Sequence, residues 1–267
     1  MSLLLNKLSC PICGGQISWL LPWKIDGEIT CDTCYSKIDM EIEKKNNLTM
    51  QDVKEYLAFY DQNQLQKDRF VVSERIDYGL WDTNIIFDYR NKLFCMSKQP
   101  DKTVFEGRQL KAFTIKEDNM LLFEGSADGI KRYFSKVPER AIALTPQIIH
   151  FMMKKHISHA RDKMMNNGTS EIQNLNVPEP FHAFNVELHF DHPYWTIIKF
   201  GMEGPKFSNE RPNVNDYTRS YQQCIKEIEK LVSALKTVAF PDEPVQFNDF
   251  DVLEIQAVHT TMISLPM

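Results

Sequence analysis

A chain of 267 residues with 43% hydrophobic and 25% charged residues has the make-up of a folded globular protein, long enough for a small module joined to a medium-sized domain. A formal net charge of −5 excludes whole-molecule attraction to nucleic acid or to an anionic membrane, so any such contact has to be local. No stretch approaches the roughly 18 apolar residues of a membrane span.

The opening "MSLLLNKLSC" is too short for a signal-peptide core and lacks a small-residue cleavage site. The expected compartment is therefore a reducing cytoplasm, where paired cysteines read as metal-binding or catalytic before they read as disulfides. Cys10, Cys13, Cys31 and Cys34 give C-x2-C-x17-C-x2-C, the spacing of a four-cysteine zinc site. Gly14 relieves the backbone just after the second ligand, where a positive φ is common. Between the knuckles, "QISWLLPWKIDGEIT" predicts two short strands around a turn at Asp26-Gly27. That pattern is a zinc ribbon over residues 1–45, holding one structural Zn2+. A thioredoxin-like site would need a C-x-x-C opening a helix within a βαβ unit, and neither knuckle has that setting. Four thiolates also leave no open coordination position for catalysis.

Residues 1–45 carry five lysines against six acids, a formal charge of −1 before thiolates, which argues against phosphate contacts by the ribbon. Trp19, Leu20, Leu21 and Trp23 form an apolar group on a module with little interior. Two uses are open to it: packing on the next domain, or binding a partner.

Residues 46–69 predict a short amphipathic linker helix, capped by Thr49 with Asp52 three residues on and carrying Val53, Tyr56, Leu57 and Tyr60 at helical spacing. From residue 70 the period changes to two. Hairpins are expected with turns at Arg90-Asn91 and Glu117-Asp118. A helical insertion follows at about 145–167, starting at Thr145-Pro146. Its stripe is Ile149, Met152, Met153, Ile157, Ala160 and Met164, and its opposite, outward face is basic with Lys154, Lys155, His159, Arg161 and Lys163. Strands return over 184–200. A long helix over about 213–238 carries Tyr217, Tyr221, Cys224, Ile228, Leu231, Leu235 and Val238 on one face before Pro241. Residues 241–267 read as a strand-prone tail suited to adding onto a sheet. The expected fold class is α+β: a small zinc ribbon, then an antiparallel β-sheet or barrel of pleckstrin-homology-like type over 70–240, with the helical insertion and the long C-terminal helix.

The motifs "CPICGG", "IDGEITCDTCYSKI", "LTMQDVKEYL", "IIFDYRNKLFCM" and "HPYWTIIKF…SYQQCIKEIEKLVSAL", in this order, resemble an uncharacterised bacterial family. Its members couple an N-terminal zinc ribbon to a β-rich, pleckstrin-homology-like domain. The resemblance spans roughly residues 8–238 and implies fold and zinc; it brings no reaction and no catalytic residues.

Chemistry beyond the cysteines is sparse. His150, His156 and His159 share a helix without an H-E-x-x-H pattern. His189 and His192 flank a turn beside Glu187 and Asp191, the one place where imidazole and carboxylate could act as acid and base. Cys95 and Cys224 read as core thiols. The leading expectation is a non-enzymatic zinc protein acting as an adaptor or regulatory module toward a protein partner, through the Trp19 to Trp23 group or the tail. The alternatives are nucleic-acid binding by the ribbon with Lys154, Lys155 and Arg161, and an enzyme centred on His189 and His192. Anionic lipid is not an expected partner.

Overall fold

The computed structural model describes residues 8–17, 23–78, 84–96, 103–165, 177–241 and 245–246. Two compact units share the chain. The first comprises Met1–Lys111, His189–Ile198 and Thr237–Ala239; the second comprises Ala112–Leu188, Lys199–Lys236 and Phe240–Met267.

The first unit opens with the expected hairpin, β1 (Trp23–Ile25) and β2 (Glu28–Thr30), in the register Trp23↔Thr30. Asp26 and Gly27 both take positive φ, 52° and 79°, the primed turn that matches strand twist. Three helices follow: α1 (Asp32–Ser36), α2 (Ile42–Asn46) and α3 (Met50–Asp68). Thr49 and Asp52 form a complete capping box at the start of α3. Ile25, Ile38, Met40, Val53 and Tyr56 pack into one core, so the hairpin and α3 bury a shared apolar surface.

At 19 residues α3 is longer than the short linker helix expected. The apolar period fades after Tyr60, but Asn63 replaces it with polar pairing. Its amide donates to the Val104 carbonyl at 2.7 Å and accepts from the Val104 N–H at 3.0 Å. A side-chain amide thus imitates a neighbouring strand for β6 (Val104–Glu106), the edge of an antiparallel sheet ordered β3 (Glu74–Asp77), β4 (Asn84–Asp88), β5 (Leu93–Met96), β6. The connection from β4 to β5 takes four residues rather than two. Asp88 shapes it by accepting from the N–H groups of Val71 and Asn91 and from the Asn91 amide, and Lys92 supplies the positive φ. One face of this sheet packs Ile86, Leu93, Cys95 and Val104, and on the other Phe94 and Phe105 meet Phe190.

The second sheet has the order β11 (Ile197–Glu203), β10 (Ala183–Phe190), β7 (Leu110–Glu117), β8 (Met120–Ser126), β9 (Gly129–Arg132), β12 (Val245–Gln246). β7, β8 and β9 run antiparallel, while β12 joins β9 in parallel. The β7–β8 turn falls one residue later than expected, on Asp118-Asn119, because Asp118 takes the positive φ of 50°. Both sheets are open, and no closed barrel is present among the described residues, which corrects the barrel form of the expected fold. β4 and β5 are paired to neighbours in a four-stranded order whose ends, β3 and β6, do not meet, so closure fails at the hydrogen-bonding level.

Glu117 ends β7 buried, accepting from Ser135 Oγ at 2.7 Å and from the Tyr221 hydroxyl; burial pushes its carboxyl up against the pull of those donors. Tyr221 belongs to α6 (Val214–Ala239), capped by Asn213, whose amide oxygen accepts from the N–H groups of Asn215 and Asp216. The expected stripe of α6 is buried at Tyr217, Tyr221, Ile228, Leu231, Leu235 and Val238, with Cys224 half-buried.

Among the described residues the remaining α-helices are α4 (Val137–Ala143), which the sequence reading did not anticipate, and α5 (Thr145–Met165). α5 leaves most of its expected inward stripe exposed, while Lys154, His159 and Arg161 of the expected outer face are exposed as well. Ile149, Met153, Ile157 and Met164 face solvent, while Phe151, Met152, Lys155 and Ser158 are half-buried and Ile148 is buried. Lys155 explains part of this: its ammonium donates to the carbonyls of Asn209 and Glu210, at 3.3 Å and 2.9 Å, and so turns a basic residue inward.

Candidate metal centre

The two knuckles are built by local backbone geometry. At the first, Cys10 N–H donates to the Gly15 carbonyl and Gly14 N–H to the Cys10 carbonyl, both at 2.8 Å, closing a tight loop in which Gly14 holds φ at 71°. At the second, Cys31 sits at the N-cap of α1 and its sulfur accepts from the Cys34 N–H at 3.4 Å. This knuckle does open a helix, but the strands before it are an antiparallel hairpin and not a βαβ unit. Ser9 bridges Gln16, and the β1–β2 hairpin brings the two loops together.

The four Sγ atoms lie within 4.8 Å of one another, and Cys13 Sγ stands 3.6 Å from Cys31 Sγ. Cys10, Cys31 and Cys34 are buried; Cys13 is exposed. Further N–H groups aim at sulfur, from Cys31 to Cys10 at 3.5 Å and from Gly15 to Cys13 at 3.4 Å. Such donors favour thiolates. At Cys10, burial raises the thiol, yet the N–H groups of Cys31, Cys13 and Ile12 outweigh it and bring it down to about 6. Cys34 is pushed up by burial first and then by the sulfurs beside it, and Cys31 is pushed up by burial against the lowering pull of the Cys34 N–H and thiol. Four sulfurs this close cannot all be anionic on their own, and a cation at their centre removes that conflict. The cluster could hold one metal ion.

The other candidate residues are scattered. Trp19 lies outside the described residues. Trp23 is 45% exposed, and its ring stacks on Tyr35 with centroids 4.0 Å apart and planes 5° apart. Its Nε1 donates to Asp32 at 2.9 Å, so an exposed aromatic is held in one orientation. Lys154 and Arg161 are exposed on α5, whereas Lys155 is committed to the two carbonyls.

His192 is buried, its Nδ1 accepting from the N–H groups of Tyr194 and Trp195, both at 3.2 Å, with the rings of Phe59 and Phe105 edge-on. Burial, then the charge of Lys44, brings its pKa down to about 4, against a weaker opposing pull from Asp39. The carboxylates read as its partners pair elsewhere, Asp191 with Lys111 and Glu187 with Lys116 and Lys199. His192 orders a turn.

Sequence reasoning missed Asp39 and Glu41, which carry no motif. Glu41 accepts from Thr196 N, Thr196 Oγ1 and Ile197 N at 2.5, 2.7 and 2.9 Å. These donors hold its carboxyl below the usual range against the upward push of burial. The cysteine module and the turn at His192 are thereby tied within one unit.

The family described as "Domain of unknown function (DUF4428)" matches residues 9–56, which spans both knuckles, the β1–β2 hairpin and the first part of α3. No curated protein and no solved structure matches the chain. Among the described residues no helix is long and apolar enough to cross a membrane.

Proposed function

We propose that Cys10, Cys13, Cys31 and Cys34 hold one structural zinc ion, and that the protein is a non-enzymatic interaction module of the cytoplasm that binds a protein partner. The carrying observation is the closed four-sulfur cluster, with all Sγ within 4.8 Å. Tetrahedral zinc with Zn–S of about 2.3 Å sets sulfurs about 3.8 Å apart, close to the 3.6 Å between Cys13 and Cys31. With every coordination position taken by protein, such an ion supplies folding energy and cross-linking rather than a reactive water. The module it stabilises is the ribbon of residues 1–45, leading through the helix of 46–69 into the β-rich part, 70–240, with the tail at 241–267. The open antiparallel sheet with its long C-terminal helix is what a pleckstrin-homology-like reading rests on. Trp23, exposed yet fixed by Tyr35 and Asp32, supports a partner-binding patch, since an aromatic that loses little freedom on binding makes a good anchor.

Nucleic-acid binding draws less support. Lys155 is spent on two carbonyls, and residues 1–45 carry a formal charge of −1.

Native mass spectrometry of gently isolated protein, with and without a strong chelator, tests the reading. One chelatable zinc per chain and a co-purifying protein that is lost from Trp23→Ala is the expected result. Absence of zinc overturns the metal assignment, and a partner retained by Trp23→Ala overturns the patch.

A further inference from the structure

The face that α5 turns to solvent is apolar along its length. Ile149, Met153, Ile157 and Met164 are 54%, 60%, 66% and 91% exposed. Spacings of four, four and seven keep them on one side of the helix. At 1.5 Å per residue the row is about 22 Å long. Ile142, at the end of α4 and 42% exposed, extends it across an open groove of about 600 Å³ shared with Ile149, Met153 and His156. Monomeric soluble proteins seldom leave so continuous an apolar strip uncovered.

Charge is arranged along its edge. Lys154 and Arg161 are exposed and seven residues apart, hence on one line, with the His150 imidazole on the same flank and His156 on the other. No exposed residue of the row is aromatic or able to donate a hydrogen bond, and the cations stand beside the row and not opposite it. Ile149 and Met153 also line the open groove beside Ile142, and a deformable acyl surface follows such relief where a rigid protein partner needs a matching shape.

We propose that α5 lies in the plane of an anionic membrane surface. Ile149, Met153, Ile157 and Met164 reach the boundary between headgroups and acyl chains, and Lys154 and Arg161 meet lipid phosphates. This inference goes beyond the zinc and partner reading and does not use the cysteine cluster or Trp23. It departs from the expectation from sequence in one respect: most of the apolar stripe expected to face inward is exposed, while Lys154 and Arg161 stand exposed as expected. A net charge of −5 makes the attraction local to α5 and sensitive to salt.

Co-sedimentation of the full chain with phosphatidylcholine vesicles, and with vesicles of phosphatidylcholine and phosphatidylserine, decides the matter. Binding is expected to the mixed vesicles, to weaken with salt, and to fall roughly 25-fold in Lys154→Gln/Arg161→Gln, about fivefold per lost cation. Met153→Glu/Ile157→Glu, at exposed positions, keeps its far-UV circular dichroism and loses vesicle binding, while Trp23→Ala binds vesicles as before. The proposal is overturned by absence of binding to mixed vesicles, by equal binding to phosphatidylcholine alone, or by full binding in the Met153→Glu/Ile157→Glu variant. A dimer in solution that Met153→Glu dissociates, or a soluble protein retained through this face without vesicle binding, assigns the row to another occupant and equally overturns it.

Discussion

The indole Nε1 of Trp195 donates to the backbone carbonyl of Asp39 at 3.1 Å, across 156 residues of chain. The same carbonyl accepts from the Tyr56 hydroxyl at 3.0 Å, and the Asp39 N–H donates to that hydroxyl at 2.9 Å. The Asp39 carboxylate accepts from Thr103 N–H at 2.9 Å. Helix α3, the residue that leads into the edge strand β6 and the turn after β10 therefore converge on one residue that has no side-chain motif of its own.

Removing these donors should not cost the same. Trp195→Phe leaves the Asp39 carbonyl its bond to Tyr56 and should lower stability by about 1 kcal/mol. Tyr56→Phe strips the half-buried Asp39 N–H of its acceptor as well as the carbonyl of one donor, and should cost about 2 kcal/mol. Urea denaturation of both variants compares them; equal losses would mean that Asp39 is not the shared point.

For the cysteines, the proposed metal makes thiol accessibility the readout. Before chelation, four of the six cysteines should resist a thiol reagent as ligands, while Cys95 is shielded by burial and Cys224 in part. Chelation should release four fast-reacting thiols. Cys13→Ser should abolish metal retention although Cys13 is the exposed member, because three sulfurs leave a position open to water. Unchanged reactivity on chelation would contradict the metal assignment.

Asn63 carries a prediction about the sheet edge. Asn63→Leu keeps the branched shape and the number of side-chain heavy atoms but leaves Val104 N–H and C=O unpaired, a cost of about 3 kcal/mol for two buried groups. The unprotected edge should also show as aggregation on mild heating. A variant as stable and as soluble as the parent would remove Asn63 from that role.

His192 sets a pH dependence. Its folded pKa, about 4, lies below the ordinary 6.5, so folding favours the neutral ring. Its contribution is complete above pH 6.5 and is lost as the pH falls toward 4, by about 3 kcal/mol. His192→Asn places Oδ1 where Nδ1 accepts from Tyr194 and Trp195, keeping the turn while removing the titration. The difference in stability between pH 7 and pH 4 should shrink in that variant; the same difference in both proteins would locate the acid sensitivity elsewhere.

Local signals in the sequence were the dependable ones. The cysteine spacing, the Asp26-Gly27 turn, and the capping box at Thr49 and Asp52 are each decided within a few residues, and each stands where the pattern puts it. The stripe of α6 was legible because Tyr217 to Val238 repeats over many turns with no rival face. α5 shows the limit. Periodicity groups Ile149, Met153 and Ile157 on one side, but whether that side points inward depends on what Lys155 meets, and Asn209 and Glu210 lie more than 50 residues away. α3 outran its apolar period because Asn63 found Val104, a pairing with no local trace. Asp39 and Glu41 were invisible for the same reason, their partners being distant backbone atoms.

The 155 residues that separate Glu41 from Thr196 also impose an order on synthesis. At roughly 5–20 residues per second, the ribosome needs about 8–30 s between making the carboxylate and delivering the amides it binds. Both cysteine knuckles leave the exit tunnel early in that interval. Both knuckles and α3 are therefore made long before the turn that braces them exists, and any shape the N-terminal module takes in that interval rests on its own four-cysteine site and the α3 core.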